Sequence, residues 1–244
     1  MSRTQAATDF SQPHHLPKVG DGGSADPEGL PRQQRGTTPQ MHGRYPDYDV
    51  MQELGHWDER TRELIVSRVD SVPERRFFSP EEFATLTAFA DVALAQDREP
   101  RVPALSLVDA KLDSGRGDGY RYEDMPDDRE TWRIVARGLD ETAGEPFADA
   151  PAETRKRILE DFAAGRVGGG AWAELNVKRA YAVVMRDLLE AFYSHPWSWN
   201  EIGFGGPAYP RGYQALGVDR HEPWEGREAF ELDPVRDVRE RGLE

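Results

Sequence analysis

The sequence predicts an all-α fold, a compact irregular helical bundle with long extended N- and C-terminal arms. Three observations predict it. Apolar residues between Asp47 and Tyr193 recur at spacings of three and four, the period of one helix face. Serine, aspartate and glycine stand where such helices should start and stop. No stretch shows sustained period-two alternation bounded by hairpin turns.

Taken in order, residues 1–46 hold six Gly and six Pro, with no hydrophobic periodicity. Such a segment buries too little apolar surface to offset the entropy of ordering, and it reads as a flexible or partner-ordered arm. A helical domain follows over 47–195. Val50, Leu54 and Trp57 open it, and Asp58 is placed to cap a helix through Leu64, Ile65, Arg68 and Val69.

The best-specified element comes next. Ser79 stands as N-cap with Pro80 at the first helical position and Glu82 at the third, so hydroxyl and carboxylate can satisfy each other's orphan amides. Phe78 and Phe83 occupy the staple positions, and Phe83, Leu86, Phe89, Ala90, Ala93 and Leu94 form one stripe. A short helix is expected over Ala104–Leu112, then a glycine-rich loop over 113–126. Asp127 and Glu130 repeat the capping pattern before Trp132, Val135, Ala136 and Leu139, with Gly144 as the stop. Ile158, Leu159 and Phe162 mark another helix that Gly165 ends. A longer one is expected from Trp172 to about Tyr193, after Gly168-Gly169-Gly170.

Residues 196–244 change character. Seven aromatics fall between Phe192 and Tyr213, interrupted by Pro196, Gly203, Gly205, Gly206, Pro207, Pro210 and Gly212. The expectation is an irregular tail, since proline and glycine at that density break helices. Aromatic residues and arginine are the enriched components of interface cores. Trp197, Trp199, Asn200, Phe204, Tyr209, Arg211, Tyr213 and Trp224 are therefore the candidate partner-interface residues. The same side chains could instead fold back over the chain's own helices, and both readings stand at this point.

Composition removes several function classes. Lys and Arg total 31 against 45 Asp and Glu, a net charge of −14. Nucleic acid is a poor partner for such a chain, because phosphate binding needs a basic face that releases counterions. No run of about 18 apolar residues exists to span a membrane. With no Cys there is no disulfide, thiolate metal site or thiol nucleophile. No basic start with an apolar stretch, and no twin-arginine pair, follows Met1, so a cytoplasmic location is expected.

The chemical motifs are thin. Glu53-x-x-His56 matches half of a di-iron signature, whose second pair has no counterpart in the sequence. His195 precedes Pro196 beyond a helix, where capping or packing is the ordinary role. Gly168-Gly169-Gly170 lacks the Gly-Lys-Ser/Thr ending of a phosphate loop, and Gly203-Phe204-Gly205-Gly206 has no strand before it. Arg116-Gly117-Asp118 is read as chance. No catalytic, cofactor-binding or metal-binding residue is assigned in this chain.

The order of motifs is nevertheless specific. Arg76-Phe77-Phe78-Ser79-Pro80-Glu81-Glu82 leads one helix, and Gly138-Leu139-Asp140 closes another. Gly169-Gly170-Ala171-Trp172, Phe192-Tyr193-Ser194-His195-Pro196 and the run from Asn200 to Tyr213 complete the series. Over roughly residues 54–213 this resembles the gluconate 2-dehydrogenase subunit 3 family, the small subunits of flavin-dependent sugar dehydrogenases. The resemblance implies a non-catalytic subunit that binds and stabilises a large FAD-dependent oxidoreductase of the glucose–methanol–choline type. In that case FAD resides in the partner, which oxidises a sugar or glycoside hydroxyl. Family members are often exported. Two other readings compete: a free-standing helical scaffold with a different partner, and a small helical enzyme using His195 or the Glu53/His56 pair.

Overall fold

A computed structural model describes residues 45, 48–96, 101–115, 117, 119–214 and 220–227. Nearly all of the expected N-terminal arm, and residues 215–219 and 228–244 of the expected C-terminal tail, lie outside the described residues, as do Arg116 and Asp118. Among the described residues there is no strand, and the fold is all-α.

The first described element is a 3-10 helix over Val50–His56, with Asp49 as its N-cap. Helix α1 (Glu59–Asp70) starts at Asp58, whose carboxylate accepts from the Thr61 amide at 2.7 Å. Helix α2 (Pro80–Ala93) carries the full capping box: Glu82 N–H donates to Ser79 Oγ at 3.1 Å, and Ser79 N–H donates to Glu82 Oε2 at 2.9 Å. Such a cap is worth about 1 kcal/mol. Helices α3 (Ala104–Asp113), α4 (Asp128–Ala143) and α5 (Ala152–Ala163) follow. In α4 only the Asp127 half of the box forms, because the Glu130 carboxylate lies by Arg137 at 3.8 Å instead. Gly144 closes α4 in the left-handed region at φ 75°, as its sequence position predicts.

Two expectations are corrected. The long helix expected from Trp172 to Tyr193 is two elements: a 3-10 helix over Gly170–Glu174, then α6 (Val177–Tyr193). Leu175 is extended between them, and Asn176 restarts the helix by accepting from the Arg179 amide at 3.3 Å. Asparagine is a strong N-cap, and that local signal competes with the apolar period running through it. The second correction concerns the start of the tail, which is not irregular: Pro196–Ile202 forms α7. Pro196 sits at the first helical position, where its missing N–H costs nothing.

Two apolar clusters form the core. The larger gathers Phe78, Phe89, Trp132, Phe147, Phe162, Trp172 and Phe192 among α2 to α6. The smaller holds Tyr48, Val50, Trp57, Ile65 and Trp199. Helix α7 joins them, with Trp197 in the first and Trp199 in the second. Buried polar groups bind the larger bundle. Three successive amides, Arg76, Phe77 and Phe78, converge on the Asp109 carboxylate at 2.6–3.1 Å. That locks the entry to α2 onto α3.

Candidate functional site

The aromatic C-terminal segment is built on the end of α6. His195 is buried and acts as the N-cap of α7, its Nδ1 accepting from the Trp197 amide at 3.2 Å. Ser198 Oγ and Trp199 Nε1 donate to the carbonyls of Phe192 and Tyr193, which fixes α7 across the last turn of α6. Asn200 then reaches 150 residues back. Its Oδ1 accepts from Val50 N–H at 2.7 Å and its Nδ2 donates to Asp49 Oδ1 at 3.2 Å. The first 3-10 helix is thus held at its N-terminus by a residue of the tail.

Beyond α7 the chain turns and closes over that same 3-10 helix. Gly206, at φ 74°, faces the Trp57 indole, and Gly205 faces Trp224; a Cβ at either position would collide with the ring. Trp57 Nε1 donates to Pro207 O at 2.9 Å, and the Tyr48 hydroxyl donates to Phe204 O and Trp224 O at 3.0 and 2.8 Å. Arg211 lies at the centre of this closure. Its guanidinium carbon stands 4.3 Å from the Trp224 ring centroid and its Nη1 is 3.3 Å from Glu53 Oε2. Its Nη2 donates to the carbonyl of Gly205.

Electrostatics follow from that burial. Loss of water, only partly offset by Arg211, raises the Glu53 carboxyl from 4.5 to about 7. Burial likewise lowers Arg211 from its ordinary range, and burial with the nearby Glu53 charge pushes the Tyr48 phenol up. His56 Nε2 lies 3.9 Å from Glu53, farther than Arg211 does. Glu53 therefore belongs to a buried ion pair. Among the described residues no group of three or more His, Asp or Glu is placed to hold a metal.

The eight residues singled out in the sequence divide. Trp197, Trp199, Asn200 and Trp224 are buried in this chain, and the Arg211 side chain is 7% exposed. Phe204, Tyr209 and Tyr213 face outward, at 37%, 69% and 72% exposure. Sequence reasoning missed Tyr48 and Trp57 as the surface on which the tail closes, and Glu53 as the partner of Arg211. Their pairings span 150 residues or more, and no local pattern announces them.

A family model, gluconate 2-dehydrogenase subunit 3, matches residues 80–206, more than half of the chain. The chain belongs to this family, whose name describes one subunit of a multi-subunit dehydrogenase. No curated protein and no solved structure matches it. The matched span ends at Gly206, so Glu53, Trp57, Arg211 and Trp224 come from segments flanking it on both sides.

Proposed function

We propose that this chain is the non-catalytic small subunit of a flavin-dependent dehydrogenase, binding and stabilising a larger FAD-dependent oxidoreductase subunit that acts on sugar or glycoside hydroxyls. Membership of the family over residues 80–206 carries the reading. The tail supports it physically. Tyr209 and Tyr213 extend outward from a segment whose base is fixed by Arg211, Trp224 and the Glu53 ion pair. A surface anchored this way loses little conformational freedom on association, so more of each aromatic contact is retained as affinity. Tyrosine suits such a place, with a broad apolar ring and a polar tip.

In this reading FAD belongs to the larger subunit. The glycine-rich turn at Gly203–Gly206 follows a helix, and the rings of Trp57 and Trp224 already fill the space beside its glycines. It offers a pyrophosphate no cradle.

The test is a pull-down with the tagged full-length chain from its native cell, read by mass spectrometry and flavin absorbance. The expected result is a roughly equimolar yellow complex with a chain long enough for several domain-sized units. A colourless, solitary protein overturns the reading. Tyr209→Ala with Tyr213→Ala should weaken the complex while leaving thermal unfolding of this chain unchanged. Deleting the whole tail would be uninformative, since Trp197 and Trp199 are core residues.

A further inference from the structure

A second surface, remote in sequence from the tail, is defined by arginines. Arg129 and Arg133 lie one turn apart on α4, and their guanidinium carbons stand 4.8 and 4.5 Å from the centroid of the same ring, Phe77. Arg129 also borders a cleft of about 400 Å³ between the end of α3 and the start of α4, shared with Leu112, Tyr120 and Arg121. Among the described residues none of Arg121, Arg129 and Arg133 pairs with a carboxylate. The next arginine along, Arg137, pairs with both Glu130 and Glu174.

The two acids among the described lining of the cleft are already engaged. Asp127 caps α4 through the Glu130 amide, and Asp128 lies 3.1 Å from Arg186. Lys111 at the cleft wall is held by Asp187 and Glu190. Arg121 and Arg129 thus line one cleft, and Arg129 and Arg133 flank one ring, on a chain whose net charge is −14. Like charges one helical turn apart repel each other. A guanidinium stacked on a ring is dehydrated on one face yet keeps its N–H edge available, the geometry that takes a carboxylate through two parallel hydrogen bonds.

We propose that Arg129 and Arg133 around Phe77, with Arg121 in the cleft that Arg129 borders, dock a carboxylate-bearing segment of the larger subunit. The inference rests on the subunit reading above and adds a second contact whose chemistry is ionic where that of the tail is aromatic. Charge complementarity selects the occupant, since an acidic segment relieves the mutual repulsion of these arginines. The chain's own residues 228–244, with six acids against three arginines, are the competing occupant.

The experiment uses the larger subunit recovered with the tagged full-length chain. Arg129→Glu with Arg133→Glu, and the milder Arg129→Gln with Arg133→Gln, are compared with wild type at low and high salt. Far-UV circular dichroism and Tm confirm that each variant is folded. The expected result is a Kd raised at least tenfold at low salt, with a flatter dependence on salt. In parallel, Arg129→Lys with Arg133→Lys preserves the charge and permits zero-length carbodiimide coupling to facing carboxylates. Links to Asp or Glu of the larger subunit support the site. Links to residues 228–244, or only to neighbours on α4, overturn it, as does an unchanged Kd in both charge variants. Failure of the wild-type chain to recover any larger subunit overturns the functional reading itself; a wild-type complex indifferent to the arginines overturns this docking site alone.

Discussion

Arg211 and Glu53, 158 residues apart, meet at 3.3 Å with both side chains more than nine-tenths buried. The pair joins the tail to the first 3-10 helix across the ends of the family region. Its energetics are two-sided. Removing two charges from water costs several kcal/mol per ion, and mutual attraction returns that only with good geometry and further hydrogen bonds. Here Arg211 gains the Trp224 ring and the Gly205 carbonyl, whereas burial still dominates at Glu53.

A pH dependence follows. With a carboxyl at about 7 folded and 4.5 as its ordinary value, the folded chain binds more protons than the unfolded chain between those limits. The contribution of Glu53 to stability is thus fully present below 4.5 and is lost as pH rises through about 7. Arg211→Ala removes the cation that opposes this shift. Its cost should be about 1–2 kcal/mol at pH 5, from lost hydrogen bonds and ring stacking, and up to about 1.4 kcal/mol more at pH 8, where the wild-type carboxylate is ionised beside Arg211 and the variant's carboxyl keeps its proton. Urea unfolding at the two pH values measures both. Equal costs would show that Glu53 does not titrate in this window.

A second buried carboxylate ties three helices. Asp187 on α6 is fully buried and accepts from Trp132 Nε1 on α4 at 3.0 Å and from Lys111 on α3 at 3.2 Å. Asp187→Ala leaves the indole N–H without its acceptor inside the core and should cost about 3–5 kcal/mol. Asp187→Asn retains an acceptor for Trp132 and should cost less than half as much. The readout is the urea midpoint at constant slope. A cost below about 1 kcal/mol for the alanine variant would mean that water replaces the carboxylate at no penalty.

These two carboxylates show where sequence reading succeeds and where it stops. Ser79, Pro80 and Glu82 specify the start of α2 within four residues, and the structure reproduces both bonds of their box. Gly144 likewise ends α4 where its position predicts. Local chemistry is legible because its partners are close along the chain. Asn176 was legible in principle, but an unbroken apolar period from Trp172 onward concealed the restart. The tail is the harder case. Composition identified its aromatics as special but could not divide them, because inward and outward residues share the same types. Trp199 turns inward to meet Val50 and Ile65, while Tyr213 stays out, and only the three-dimensional closure on Trp57 decides between them.

Gly138 carries the last prediction, because its reason is also tertiary. It lies inside α4, where alanine is intrinsically better by about 1 kcal/mol. Yet a Cβ there would stand 2.5 Å from Cε2 of Trp172, whose indole lies flush on the helix and donates to Thr142 Oγ1 at 2.8 Å. Gly138→Ala must therefore push the 3-10 helix over Gly170–Glu174 away from α4, and overpacking of this kind costs about 1–3 kcal/mol. The net effect should be destabilising despite the gain in helix propensity. A double-mutant cycle with Trp172→Leu separates the two contributions, since leucine lacks the fused ring that the methyl would strike. In that background Gly138→Ala should become neutral or stabilising. Equal costs in both backgrounds would place the origin of the glycine in the backbone of α4 rather than in the indole that covers it.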